Sequence, residues 1–136
     1  MKTIKDFLPQ REPFLFVDEI LSVDNGVIIG SKKYDNDIIF YQNFGGNLYV
    51  PSMILLESLM QCGGAGSRMI APAESEIFVV TAVRKVKIKA PVCINDTIIM
   101  KIQTLRMRGR CFRQKGSAFL NGKFVLGASW QCMSIK

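Results

Sequence analysis

Pro51-Ser52-Met53-Ile54-Leu55-Leu56-Glu57-Ser58-Leu59-Met60-Gln61 is apolar on most faces, and that decides the architecture. A helix apolar all round offers no side to water and is normally buried. Pro51 suits its first turn, where a missing N–H costs nothing, and Ser52 is placed to cap it. Cys62-Gly63-Gly64-Ala65-Gly66 then either ends the helix or lets a neighbour approach its backbone closely. One carboxylate, Glu57, stands within this apolar surface. Glu is rarely buried unless paired, so a carboxylate here is a candidate for chemistry.

Working outward from the helix, residues 13–23 read as a strand and 27–34 as its return, joined at Asp24-Asn25-Gly26. Asn and Gly tolerate positive φ, which a tight hairpin turn requires. Residues 35–50 read as irregular, with Gly45, Gly46 and Asn47 permitting tight backbone paths. Beyond Pro72 the chain is strand-like to its end. Residues 76–80 form a short apolar run, and Val83, Val86 and Ile88 interleave with Arg84, Lys85, Lys87 and Lys89. Residues 97–105 place Ile98, Met100, Ile102 and Thr104 on one face, and 111–120 and 123–133 flank the turn signal Asn121-Gly122. The order is two strands, one buried helix, then four strands. A curved antiparallel sheet wrapped around the single helix covers it, giving an α+β "hotdog" arrangement over 1–136 as a single domain. Such a sheet leaves edges, so dimerisation through an edge strand is expected.

A chain of 136 residues, 49% apolar and 21% charged, can bury a core without disulfide or metal staples. No apolar run is long enough to span a bilayer, and the N-terminus lacks the apolar core of a signal peptide, so a cytoplasmic location and no membrane insertion are expected. Cys62, Cys93, Cys111 and Cys132 are widely spaced, and the chain has no histidine. Four reduced, mostly buried thiols and no metal site are the expectation. The net charge of +7 favours an acidic partner: nucleic acid, anionic lipid or an acidic protein. Arg106, Arg108, Arg110, Arg113 and Lys115 surround Gly109, either as a solvated hairpin face or as a docking patch for such a partner. Phe112 alone makes no base-stacking platform and no recognition motif accompanies the charge, so nucleic acid is not expected.

Three blocks of sequence carry a resemblance. Leu8-Pro9-Gln10-Arg11-Glu12-Pro13-Phe14-Leu15-Phe16-Val17-Asp18 is similar to L-P-H-R-x-P-F-L-L-V-D. Phe40-Tyr41-Gln42-Asn43-Phe44-Gly45-Gly46-Asn47-Leu48-Tyr49-Val50-Pro51-Ser52 is similar to F-x-x-H-F-P-x-x-P-x-x-P-G, and Leu56-Glu57-Ser58-Leu59-Met60-Gln61 to L-E-A-M-A-Q. The chain thereby resembles the FabZ-type (3R)-hydroxyacyl-[acyl-carrier-protein] dehydratases, which have the hotdog fold. The resemblance implies a site at a dimer interface. A His of one subunit takes the α-proton, and a Glu on the central helix of the other handles the departing hydroxyl. A backbone N–H at the helix start polarises the thioester carbonyl. It also implies an acyl thioester substrate on the phosphopantetheine of an acyl carrier protein or on coenzyme A, and no further cofactor. Carried across, Glu57 is the acid, Gln61 lies one turn on, and Phe44, Gly46 and Ser52 stand around the substrate.

The departures bear on the chemistry. Asn43 replaces the His and Gln10 the opening His, while Gly45 and Leu48 stand where the loop has Pro. Elimination of water needs a base that titrates near neutrality, which His supplies and an amide does not. Tyr41 and Tyr49 are near in sequence, but either needs a strongly lowered pKa to substitute. Three readings follow. The chain is a dehydratase-like protein of fatty-acid, lipid or polyene biosynthesis, inactive alone or paired with a His-containing hotdog subunit. Or it is a thioesterase in which Glu57 attacks or activates water, with the Ser52 N–H as oxyanion donor. Or it is a non-catalytic acyl-binding or scaffold module. Leu15, Phe16, Phe78, Val79, Phe119 and Phe124 are expected to fill the core or to line an acyl tunnel.

Overall fold

The computed structural model describes residues 1–36, 38–70 and 77–135, with the side chain of Met107 outside the description. The expected strand residue Glu76, and Pro72 before it, therefore lie outside the described residues.

One helix, α1 (Ser52–Ile70), lies in the bend of a six-stranded antiparallel sheet. Its strands are β1 (Glu19–Asp24), β2 (Val27–Lys33), β5 (Ile77–Ile88), β6 (Thr97–Arg108), β7 (Cys111–Leu120) and β8 (Lys123–Ile135). They are ordered β1-β2-β6-β7-β8-β5. Two short strands, β3 (Gln42–Phe44) and β4 (Asn47–Tyr49), form a separate hairpin just before α1. This is the expected hotdog architecture.

The core follows from strand alternation, which sends every second side chain toward the helix. Ile28, Ile102, Gly116 and Ala128 are aligned across β2, β6, β7 and β8, and all four are buried. The next row, Gly30, Met100, Ala118 and Leu126, is buried too. Leu55, Leu59, Cys62 and Ala65 of α1 complete that layer. Of the six apolar residues expected inside, Phe16 is fully buried, while Leu15 and Phe78 pack against the core half-buried. Val79 is half-buried as well, and Phe119 and Phe124 instead meet edge-on, half-buried, with centroids 6.1 Å apart.

Three boundaries differ from the sequence reading. β1 begins at Glu19 rather than at 13, because the Gln61 side chain engages the Phe14 carbonyl and Phe16 N–H, so the segment is tied to the helix and not the sheet. Residues 42–49 form a hairpin, with Gly45 at φ 61° and Gly46 at φ 85° making the turn. The two apolar runs after residue 76 are one strand, β5, interrupted by irregular pairing with β8 between Val80 and Ala82 and between Arg84 and Lys87. Of the two readings open for the glycines, close approach by a neighbour holds, and α1 runs through them to Ile70. A Cβ on Gly66 would lie 2.6 Å from three side-chain atoms of Ile28, and one on Gly63 would collide with the Gln114 amide. Glycine is there because the helix touches the sheet.

Candidate active site

Pro51, not Ser52, stands at the cap of α1: its carbonyl accepts from Ile54 N at 2.9 Å and Leu55 N at 3.2 Å. Ser52 is the first helical residue. The N–H groups of this first turn have no intrahelical acceptor and carry the positive end of the helix dipole. They can serve a developing oxyanion as well from Ser52 as from Gly, because only backbone is involved.

Glu57 is half-buried one and a half turns further on, and its carboxylate accepts a hydrogen bond from Gln61 Nε2 at 3.1 Å. Gln61 is 97% buried and fully engaged. Nε2 also donates to the Phe14 carbonyl at 2.9 Å, and Oε1 accepts from Phe16 N–H at 2.8 Å. One amide thus orients the carboxylate and fixes the chain that covers it. That chain is held on its other side by Asp18, which accepts from Lys32 Nζ at 3.1 Å and from the Lys33 N–H at 2.7 Å. On the neighbouring, sheet-facing side of the helix, the Tyr34 and Ser58 hydroxyls meet at 2.7 Å in full burial. Glu57 is therefore presented by a helix that cannot easily roll.

The carboxylate opens into a cleft of about 60 Å³. Gln10, Gln61, Gly64 and Arg68 line it on one side, and Phe78, Phe112 and Cys132 on the other. Gln10 Oε1 is buried there with no hydrogen-bond partner among the described residues. The Cys132 thiol is pushed up to about 11, by burial first and the Glu57 charge second, so it stays protonated and is no nucleophile. Cys62 is pushed up to about 12 by burial alone. All four cysteines are free thiols, two of them buried.

Asn43 lies elsewhere. It is exposed on β3, with Phe44 79% exposed beside it and Gly46 exposed at the turn. None of Asn43, Phe44, Gly46 or Ser52 lines the Glu57 cleft of its own chain. The structure brings Glu57 and Gln61 together and keeps the β3–β4 hairpin apart from them. Tyr41 is no replacement base: burial and then Asp35 push its phenol up to about 12, and its hydroxyl donates to the Asp35 carbonyl at 2.6 Å. The Tyr49 hydroxyl receives Asn47 Nδ2 at 3.4 Å.

Arg106 and Arg113 face each other across β6 and β7, and with Arg108 they line a pocket of about 280 Å³. Arg110 is exposed in the adjoining turn, after Gly109 at φ 59°. Phe112 lines both this pocket and the Glu57 cleft. The basic patch thus stands beside the C-terminal half of α1, away from the helix N-terminus.

Comparison with known proteins accords with this geometry. The FabA-like domain profile matches residues 8–129. A 3-hydroxyacyl-[acyl-carrier-protein] dehydratase FabZ of Syntrophobacter fumaroxidans is 31% identical over 127 residues, covering 92% of this chain and 86% of that protein. The chain belongs to the FabA-like family. The FabZ of Enterococcus faecalis is likewise 31% identical over 127 residues, covering 92% of this FabA-like chain and 90% of that one. Among solved structures, the dehydratase heterocomplex ApeI:P from Xenorhabdus doucetiae superposes with a TM-score of 0.85 at 12% identity, covering all of this chain and 93% of that one. A mutant thioesterase from Pseudomonas aeruginosa superposes with a TM-score of 0.69 at 10% identity, covering 88% and 81%. At such identities these two likenesses speak for the fold alone.

Proposed function

We propose that the chain is the acid-bearing subunit of a heteromeric hydroxyacyl-thioester dehydratase, completed by a second hotdog subunit that supplies the base. One observation carries the reading. Glu57 is oriented, covered and provided with a cleft, while the residue at the base position, Asn43, cannot take a proton and lies on an exposed hairpin outside that cleft. A site completed by another chain accounts for both. The other chain's hairpin would bring a His to Glu57, and the Ser52 N–H end of α1 would hold the thioester carbonyl.

β5 suits the joining. It is a twelve-residue edge strand with Ile77, Val80, Val83, Val86 and Ile88 all exposed. Such an edge pairs readily with another strand. The substrate arrives on an acidic acyl carrier protein docked at Arg106, Arg108, Arg110 and Arg113. Because that patch flanks the C-terminal half of α1, a carrier held there serves a site built with a second subunit rather than the helix start of the same chain. Like-charged Arg106 and Arg113 set opposite one another favour an anion between them.

The test is dehydration of a 3-hydroxyacyl carrier substrate. The protein alone is expected to be inactive, and Asn43→His to raise turnover by about 10²–10⁴-fold, the usual worth of a general base. Activity restored by a His-containing hotdog partner, and lost again with Glu57→Gln, supports the pairing. Unchanged partner activity with Glu57→Gln sinks it. Release of free thiol from acyl-coenzyme A, abolished by Glu57→Gln, would instead establish the thioesterase reading, which the His-free pairing of carboxylate and helix N-terminus also supports.

A further inference from the structure

The sheet has a second face, turned away from α1, and its charge is of one sign. Side chains alternate across a strand, so the rows lying between the buried ones point outward. Lys101, Ser117, Gly127 and Lys87 form one such row across β6, β7, β8 and β5. Lys115, Ser129 and Arg84 form the next, and Arg106, Arg113 and Gln131 the one after. The cations of these rows are all exposed. No Asp or Glu occurs in β2, β5, β6, β7 or β8. The carboxylates of the sheet, Glu19 and Asp24, are both on β1, the edge opposite β5.

Like charges set opposite one another destabilise a sheet, and a cross-strand carboxylate is the usual remedy. Here Arg106 faces Arg113 directly and Lys101 lies diagonal to Lys115, on strands that carry no carboxylate. Relief comes from anions outside the fold. A second copy of the chain brings the same sign and repels. A protein partner is usually met by an apolar centre within a charged rim, with Lys depleted at the centre. This face has the reverse order: Lys101 and Lys115 stand mid-strand on the two central strands, while the exposed Ile99, Met133 and Ile135 lie toward strand ends. Among the described residues no exposed aromatic stands with the cations, as base stacking requires. A layer of lipid headgroups presents phosphate at every lateral position, and aliphatic tips enter it without a matching pocket. We propose that the outer face of the sheet docks the protein peripherally on an anionic phospholipid bilayer, with α1 and Glu57 turned away from the lipid.

Co-sedimentation of the whole protein with vesicles tests this. At about 0.1 M salt it should bind mixed vesicles of phosphatidylcholine and phosphatidylglycerol and not vesicles of phosphatidylcholine alone, and about 1 M salt should release it by screening. Each cation near an anionic leaflet is worth about fivefold in binding, so Lys101→Gln with Lys115→Gln should weaken it by about 10- to 30-fold. That variant removes repulsion, so its melting temperature should not fall. Lys2→Gln with Lys5→Gln removes the same charge outside the sheet and should change binding by less than about twofold. Equal binding to both kinds of vesicle overturns the proposal. So does a loss as large in the Lys2 and Lys5 variant as in the face variant, which leaves net charge alone as the cause. If duplex DNA or an acidic carrier protein binds more tightly than the anionic vesicles and is lost in the same face variant, the face belongs to that partner and the bilayer is overturned. None of these outcomes touches the dehydratase reading, which the Glu57 and Asn43 variants test separately.

Discussion

Asn43 and Glu57 show how differently two residues on either side of a helix start can be embedded. The carboxylate was legible in sequence as a lone charge in an apolar helix. The means by which it is held was not. Gln61 reaches Phe14 and Phe16 across 47 and 45 residues of chain, and a contact of that range leaves no local pattern. Removing it should be costly: Gln61→Ala leaves the buried Phe16 N–H without its acceptor and frees the covering segment. A loss of about 1–3 kcal/mol in denaturant unfolding is expected. The thiols give a second residue-scale prediction. Cys132 and Cys62 are raised in the folded protein above the ordinary value of 9.0, so the unfolded chain surrenders their protons first. Their contribution to stability is complete below about pH 9 and declines as pH climbs toward 11 to 12. Cys132→Ala should flatten part of that alkaline decline in a melting-temperature series.

Among the elements, the hairpins at Asn25-Gly26 and Asn121-Gly122 were readable because each turn signal sits between long alternating arms. Both have the paired positive φ the signal demands, 50° and 77°, and 51° and 81°. The β3–β4 hairpin was not readable, since its arms have three residues each and no buried face to impose alternation. The glycines of α1 were ambiguous for a related reason: a Gly that ends a helix and a Gly that admits a neighbour look alike in one dimension. The structure separates them, and substitution should too. Gly66→Ala, aimed at Ile28, is expected to destabilise by about 1–3 kcal/mol despite the better helix propensity of Ala. Gly64→Ala meets nothing nearer than Leu8 at 3.8 Å and should be neutral or gain up to about 1 kcal/mol. Equal effects in thermal melts would count against close packing as the reason for Gly66.

At the scale of the molecule, the sheet has unequal edges. β5 is long, twisted by two irregularities and carries exposed valines and isoleucines, whereas β1 is half its length. Association through β5 predicts that Val83→Lys with Val86→Lys shifts the sedimentation of the protein, alone or with its partner, toward the single chain. Helix and sheet should remain intact by circular dichroism, because neither side chain belongs to the buried core. An unchanged assembly would place the interface elsewhere.

The exposure of the β3–β4 hairpin has a consequence for how such a chain can change. A side chain exposed on a short hairpin carries little of the folding constraint, so the residue type at 43 can drift at small cost to the protein that carries it. Glu57 has no such liberty, since its hydrogen-bond partner also fastens the segment before β1. Loss of chemistry in this architecture is thus expected to be lopsided: the base is the part a subunit can give up cheaply once a neighbour holds one, and the acid is the part it keeps.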